Sequence, residues 1–351
     1  MTLPQIDHDY LLSTLVDLLN TPSPVGDTEA GIEMCRELVC QFDGLDIRVT
    51  RKGALVATWP GQRDDGPRGV TAHVDTLGAV VKRIKPNGRL QLAQLGSYAW
   101  TAIENEGVTI VASSGAKYRG TIMVTNASHH LYESGDGPNA KERSQKTIEV
   151  RIDARSSTRS ETEALGIEVG DFIYFDPRVE VVNGFIRSRH LDDKGCLAAM
   201  FAAMKTIYDS GQTPLQRTTF LVANYEEVGH GGASGFPKDL HEVLALDIAP
   251  LGDEQNADEF SCTLCVRDDD GPYDVKMRRK LKALAQTHGI DFKTDVFNYY
   301  CSDGDALWKA GADVRCSLIG PGVDATHGYE RTHMNALVAT AQMIVAYLLS
   351  E

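Results

Sequence analysis

Several absences bound this 351-residue chain before anything present in it is considered. No stretch approaches the ~18 unbroken apolar residues of a membrane span, and the opening MTLPQIDHDY lacks the basic-then-apolar pattern of a secretory signal. Positive charge is in deficit, with 35 Lys and Arg against 49 Asp and Glu and a formal net charge of −14. That balance disfavours polyanionic partners, so neither nucleic acid nor a membrane is expected as a partner. Cysteine is scarce and odd in number, and Cys35, Cys40, Cys196 and Cys316 fall in core-like or helix-like surroundings. Reduced thiols and a cytoplasmic location are the simplest expectation. The one CxxC, Cys262–Cys265, has no second CxxC and no nearby His pair to complete a zinc site. Asn126-Ala-Ser128 matches a glycosylation sequon, which has no meaning without export. There is no HExxH, and no G-x-S-x-G because Phe236 stands where the last Gly is needed. The Gly229–Gly235 stretch has Ser234 in place of the third Gly of a dinucleotide fingerprint, and two glutamates precede it where phosphates would be repelled.

What remains is a chain with 42% hydrophobic residues, enough core for about two domains. The N-terminal stretch predicts amphipathic helices over 9–19 and 28–42 around a Pro- and Gly-rich turn, with Asp27 as a cap. Short apolar strands follow: LDIRVT, ALVATW and GVTAHVD. From Leu77 to Asp176 only strand-like runs appear, with Pro86-Asn87-Gly88 and Ser114-Gly115 as hairpin turns. Alternation of helix and strand then resumes, with helices expected over 194–210, 273–288, 303–310 and 333–349. The expected fold is α/β, a mixed sheet flanked by helices with an inserted small all-β domain. Residues 1–76 and 173–351 are expected to form the α/β domain and 77–172 the insert.

Ionisable residues concentrate at strand ends. GVTAHVD closes on His73 and Asp75, TTFLVANYEE on Glu226 and Glu227, EVLALD on Asp247, and VRCSLIG runs into a loop carrying His327. Asp192 and Asp193 stand just before the 194–210 helix. Open α/β sheets bind ligands beyond the carboxyl ends of their strands, so these groups should meet in one crevice. Singly each has an ordinary reading: a helix cap at Asp192–Asp193, a solvated pair at Glu226–Glu227, a surface imidazole at His327. Together they form a mixed N/O donor set suited to zinc or cobalt. Two such ions ~3.5–4 Å apart can share a carboxylate and a water, which is hydrolytic chemistry.

The ordered motifs AHVDTLG, LDDKG, NYEEVG, LALD and a late His resemble the co-catalytic metallopeptidases, most closely the M42 family of glutamyl and tetrahedral aminopeptidases. The segment from Ser160 to Gly195 carries the likeness most densely, and the likeness spans nearly the whole chain. It implies two divalent ions, zinc or cobalt with manganese tolerated. His73, Asp192 and Asp247 would hold one, and Asp192, Glu227 and His327 the other, with Asp192 bridging through a strained peptide to Asp193. Glu226 would be the general base, taking a proton from the bridging water for the leaving amine, and Asp75 would support His73. It further implies short peptide substrates and a homo-oligomer, a dimer or a tetrahedral dodecamer, in which the β insert mediates dimerisation and substrate access.

Departures bear on the substrate pocket. Thr76 stands where an acid is common, NYEEVG replaces QEEVG, and HGYER replaces HSPVE after the late His. His333 is a rival to His327 for the last ligand position, and Ser302-Asp303-Gly304-Asp305 reads as a helix cap with a pocket role open to it. The alternatives are a deacylase, dipeptidase or carboxypeptidase of M20 type, for which Arg331 would meet a substrate carboxylate, and a non-catalytic metal-binding scaffold. The insert's purely β pattern favours the aminopeptidase, and the presence of Glu226 disfavours the scaffold.

Overall fold

The computed structural model describes residues 2–132 and 137–351. The chain divides into two compact units, Met1–Thr76 with Arg178–Glu351, and Leu77–Pro177.

The first unit is built on a ten-stranded sheet. Its centre is four parallel strands in the spatial order Gln216–Ala223, Arg63–His73, Glu242–Leu246 and Arg315–Val323. The antiparallel strands Leu55–Trp59 and Cys262–Asp268 flank them. Sequences such as FLVA, VTA and VLAL are nearly continuous apolar runs because both faces of these strands are covered. One face packs against the helices His8–Asn20, Leu191–Asp209, Val275–His288 and Met334–Leu349 through a shared core. Leu191–Asp209 is buried almost all round, which explains its Ala- and Met-rich sequence. On the other face Leu240, Leu307 and Phe297 form a smaller cluster. A separate three-stranded sheet joins Glu180–Val182, Phe185–Ser188 and Glu330–His333.

The second unit is a closed antiparallel barrel of six strands in the order Gly78–Ile84, Leu90–Leu95, Ile148–Ile152, Lys117–Val124, Gly107–Val111 and Phe172–Phe175. Lys117–Val124 alternates inward and outward, placing Ile122 and Val124 in the barrel core. Closure leaves no open sheet edge. Gly88 and Gly115, at φ of 76° and 84°, make the two expected turns.

Three expectations require correction. The insert is the expected small β domain, but its run of strands is interrupted by one short helix, Arg159–Ala164, closed by a capping box between Thr158 and Glu161. The insert runs to Pro177, because Phe172–Phe175 pairs with the first barrel strand and completes the closure. The second helix is Glu29–Val39, with Thr28 rather than Asp27 at the N-cap position, and it stops short of Phe42. Among the described residues, no helix is long and apolar enough to cross a membrane.

Candidate active site

The four parallel strands point the same way, so their carboxyl ends share one edge of the sheet. His73 is the last residue of its strand, Asp247 follows Leu246 directly, and Glu226 and Glu227 come soon after Ala223. His327 lies in the loop after Val323, and Asp192 in the first turn of Leu191–Asp209. Asp192 and Asp193 interrupt the helical backbone there, and the peptide between them is cis. Topology alone therefore gathers residues separated by up to 254 positions (327 − 73).

The side chains meet in two groups that share Asp192. His73, Asp192 and Asp247 offer ligand atoms within 4.8 Å of one another, and so do Asp192, Glu227 and His327. His73 Nε2 lies 3.1 Å from Asp192 Oδ1, and His327 Nε2 lies 3.5 Å from Asp192 Oδ2 and 3.6 Å from Glu227 Oε2. Glu226 stands beside both groups without belonging to either, with Oε2 3.7 Å from His73 Nε2. The first group is fully buried, whereas His327 leaves the second partly open.

Charge in this crevice is unbalanced. Burial pushes Glu226 and Asp247 well above the ordinary carboxylate range, and neighbouring carboxylates add to the shift. Glu227 is pushed up to about 8 by burial and by Asp192. Burial would lower the His73 imidazole, but Asp192, Glu226 and Asp75 outweigh it and hold the pKa well above its usual value. Burial likewise works against ionisation of Asp192, yet His327 and His73 hold it below the usual range. Among the described residues, no Lys or Arg pairs with Asp192, Glu226, Glu227 or Asp247. Buried like charges of this kind call for a cation. Glu227 Oε1 is buried without a hydrogen-bond partner, as a ligand atom awaiting an ion would be. The donor chemistry fits divalent ions.

Asp75 meets the imidazole through both its backbone and its carboxylate. The strand ends at His73, and the Asp75 backbone carbonyl meets His73 Nδ1 at 2.9 Å. The carboxylate lies 3.6 Å from that nitrogen and accepts the N–H groups of Glu226 and Glu227, each at 3.1 Å. Asp75 thus holds the turn on which the two glutamates sit, a turn entered through Tyr225 at φ 67°.

The other candidates sort clearly. His333 caps the last helix by accepting from Asn335 N and packs edge-on against Phe185 and tilted against Phe260, in neither ligand group. Arg331 donates to Glu259 at 2.7 Å and covers the Phe185 ring. Cys262 and Cys265 lie on one strand and, three residues apart, face opposite sides. Ser302 and Asp305 form a capping box, while Asp303 accepts from Gly232 N and so pins the glycine-rich loop behind the glutamates. A Cβ at Gly231 or Gly232 would meet Asp303, which explains those glycines without any phosphate. A cavity of about 260 Å³ opens over the ligand groups, walled on its far side by Tyr299, Tyr300, Cys301, Ala306 and Lys309. A larger one, about 550 Å³, between Ala233–Leu240 and Leu307–Val314 contains none of the candidate groups. Glu330, to which the sequence assigns no role, is buried with its carboxylate against the backbones of Asp192 and His327. The acid in HGYER was the available signal.

Residues 53–343 match the family described as M42 glutamyl aminopeptidase. A Bacillus subtilis (strain 168) protein, YhfE, named provisionally as an aminopeptidase, is 42% identical over 340 residues, 97% of each chain. Among solved structures, an aminopeptidase from the archaeon Desulfurococcus kamchatkensis superposes with a TM-score of 0.85 at 18% identity, covering 97% of this chain and 95% of its own. The TET1 peptidase of Pyrococcus horikoshii gives 0.81 at 20% identity, covering 97% and 100%. That protein is described as able to assemble into a tetrahedron or a large octahedral shell.

Proposed function

This chain belongs to the M42 glutamyl aminopeptidase family, and we propose that it removes N-terminal residues from short peptides with two divalent ions and Glu226 as general base. The observation that carries the reading is the pair of ligand groups sharing Asp192, with an unligated glutamate beside both. His73, Asp192 and Asp247 would hold one ion and Asp192, Glu227 and His327 the other, zinc or cobalt by donor type with manganese tolerated. Bound there, the ions would supply carbonyl polarisation and a water acidified towards neutral pH.

The chain's own residues do the rest. Glu226 Oε2 takes the proton of the attacking water and passes it to the leaving amine nitrogen, a task suited to a carboxylate whose pKa is raised by burial. Asp75 fixes where that carboxylate stands by holding the N–H groups of Glu226 and Glu227. The cavity wall from Tyr299 to Lys309 receives the side chain of the residue released. We read the barrel unit as the dimerisation and access element of a homo-oligomer, a dimer or a tetrahedral dodecamer, supported by the assemblies described for the Pyrococcus horikoshii relative.

The test is a panel of free and N-acetylated aminoacyl amides and dipeptides, each assayed with zinc, cobalt or manganese. Cleavage confined to free amino termini supports the reading. Cleavage of the acetylated compounds would instead make the protein a deacylase. With Arg331 engaged by Glu259, no residue observed here favours that second reading.

A further inference from the structure

The late His lies on a loop and the bridging Asp in the first turn of a helix, rather than on the sheet. His327 adopts a left-handed backbone, φ 62°, and so does His190, φ 72°, two residues before Asp192. Non-glycine residues persist in that region only where their surroundings over-determine them. The position of Asp192 relative to His327 decides whether the second group closes on an ion, so something must fix the strained helix entry at His190 against the strained loop at His327.

Both segments spring from the same rung of the small three-stranded sheet. Ser188 pairs with Glu330 in the antiparallel ladder between Phe185–Ser188 and Glu330–His333. From that rung one chain runs forward to Asp192, and the other runs back to His327. The Glu330 side chain, 1% exposed, reaches across the gap. Its Oε2 accepts the N–H of Asp192 at 3.2 Å, and its Oε1 accepts the N–H of His327 at 3.0 Å. Each oxygen therefore serves one of the two residues through its backbone rather than through its side chain. The acid follows His327 by three residues, in HGYER, where HSPVE would place it four residues on.

We infer that Glu330 is a positioning residue, a two-armed carboxylate that sets the spacing of Asp192 and His327 and thereby the affinity of the second ion position. This rests on the two-ion reading above. Glu330 touches no reacting atom, and it acts only through the two backbones it holds. Thr326 adds a weaker tie, its hydroxyl 3.3 Å from Asp192 Oδ2.

The experiment is titration of the metal-free protein with cobalt(II), read by visible absorption and calorimetry, for the parent and for Glu330→Gln. Glutamine keeps the shape but offers one acceptor oxygen, so one N–H loses its partner and faces an amide NH2 group. The parent should take up two ions. The variant should hold one as the parent does and bind the other about 10–100-fold more weakly, as for lost outer-sphere partners of metal ligands. Excess cobalt should then restore its turnover. Unchanged affinities for both ions with a lowered Tm would overturn the inference and reduce Glu330 to a fold residue. A parent that takes up fewer than two ions would sink the two-ion reading itself, a failure visible before any variant is compared. Should Glu330→Gln not fold, amide hydrogen exchange of the metal-free parent decides instead. Slow exchange at Asp192 and His327 supports the bracket, and fast exchange at both overturns it.

Discussion

Two buried acids of the barrel and four acids of the α/β unit are met in opposite ways. In the barrel, Glu149 is 1% exposed and receives the Lys85 ammonium and the Arg89 guanidinium on its two oxygens. Asp171, also buried, accepts from Ser113 N, Ser113 Oγ and Glu168 N at 2.8–3.0 Å. Those acids are complete, because every charge taken out of water has been met by a cation or by donors. In the α/β unit, Asp192, Glu226, Glu227 and Asp247 are buried against one another, with two imidazoles as their nearest bases. Burial of acid by itself therefore says little about function. Burial of acid against acid, with a ligand atom unpartnered, marks the place where something from outside completes the structure.

The largest test of this contrast is Glu226→Gln. If Glu226 moves a proton and is not a ligand, kcat should fall about 10²–10⁴-fold while both ions remain bound. Loss of an ion in that variant would assign Glu226 to the ligand set and break the division drawn here. Metal removal comes next. Glu227 is raised to about 8 by burial and by Asp192, so between the ordinary ~4.3 and about 8 it is protonated when folded and ionised when unfolded. His73, held high by Asp192 and Glu226 against the pull of burial, is protonated when folded and neutral when unfolded at pH values above ~6.5. The unfolded state binds fewer protons in both cases, so the metal-free protein should lose stability as pH rises from about 5 to about 8. Asp192, held low, is ionised in both states over that window and contributes no slope. Thermal melts at several pH values, with and without chelator, check this. The downward slope should vanish when ions are present, and each ion should add about 2.7 kcal/mol at a hundredfold excess over its Kd.

Much of this was legible in the sequence, for a definite reason. Apolar runs closed by His73, Glu226 or Asp247 declare both a buried strand and a polar end, and parallel topology brings such ends together. Loop geometry was less legible. Asp75 stands beyond its strand, which ends at His73, and no local pattern announces that its carboxylate holds the Glu226–Glu227 turn. Glu330 joins the N–H of His327, three residues before it, to that of Asp192, 138 residues away, and the acid in HGYER gives no sign of that second partner. Nor could sequence separate Glu149 from the site acids, since its partners Lys85 and Arg89 lie some 60 residues away.

A smaller effect is expected on the barrel side. Glu149→Gln should remove one or both charge-assisted contacts to Lys85 and Arg89, which remain 22% and 29% exposed and so keep some water. A loss of about 1–3 kcal/mol in stability is expected, with kcat and metal uptake unchanged. A fall in either would mean that the barrel's buried acid is not purely structural.

The smallest expected effect falls on the element whose pattern was least visible. Arg159–Ala164 is too short to show helical periodicity, yet Thr158-Arg-Ser-Glu161 is a capping-box signature. Thr158 Oγ1 accepts from Glu161 N, while Glu161 Oε2 returns to the N–H groups of Thr158 and Ser157. The Glu161 carboxylate is accordingly held below its usual range by those donors. Thr158→Ala should remove one arm of the box and cost about 1 kcal/mol, read as a lower denaturant midpoint with an unchanged m-value. Because Glu161 is exposed and solvated, its loss of partner carries little of the penalty that Glu149 would incur. A cost in Thr158→Ala equal to that of Glu149→Gln would show that solvent exposure does not separate these two kinds of polar contact. A negligible cost would mean that packing of Thr162 beneath the turn, where its side chain is fully buried and donates to Gly88 O, already holds the helix without its cap.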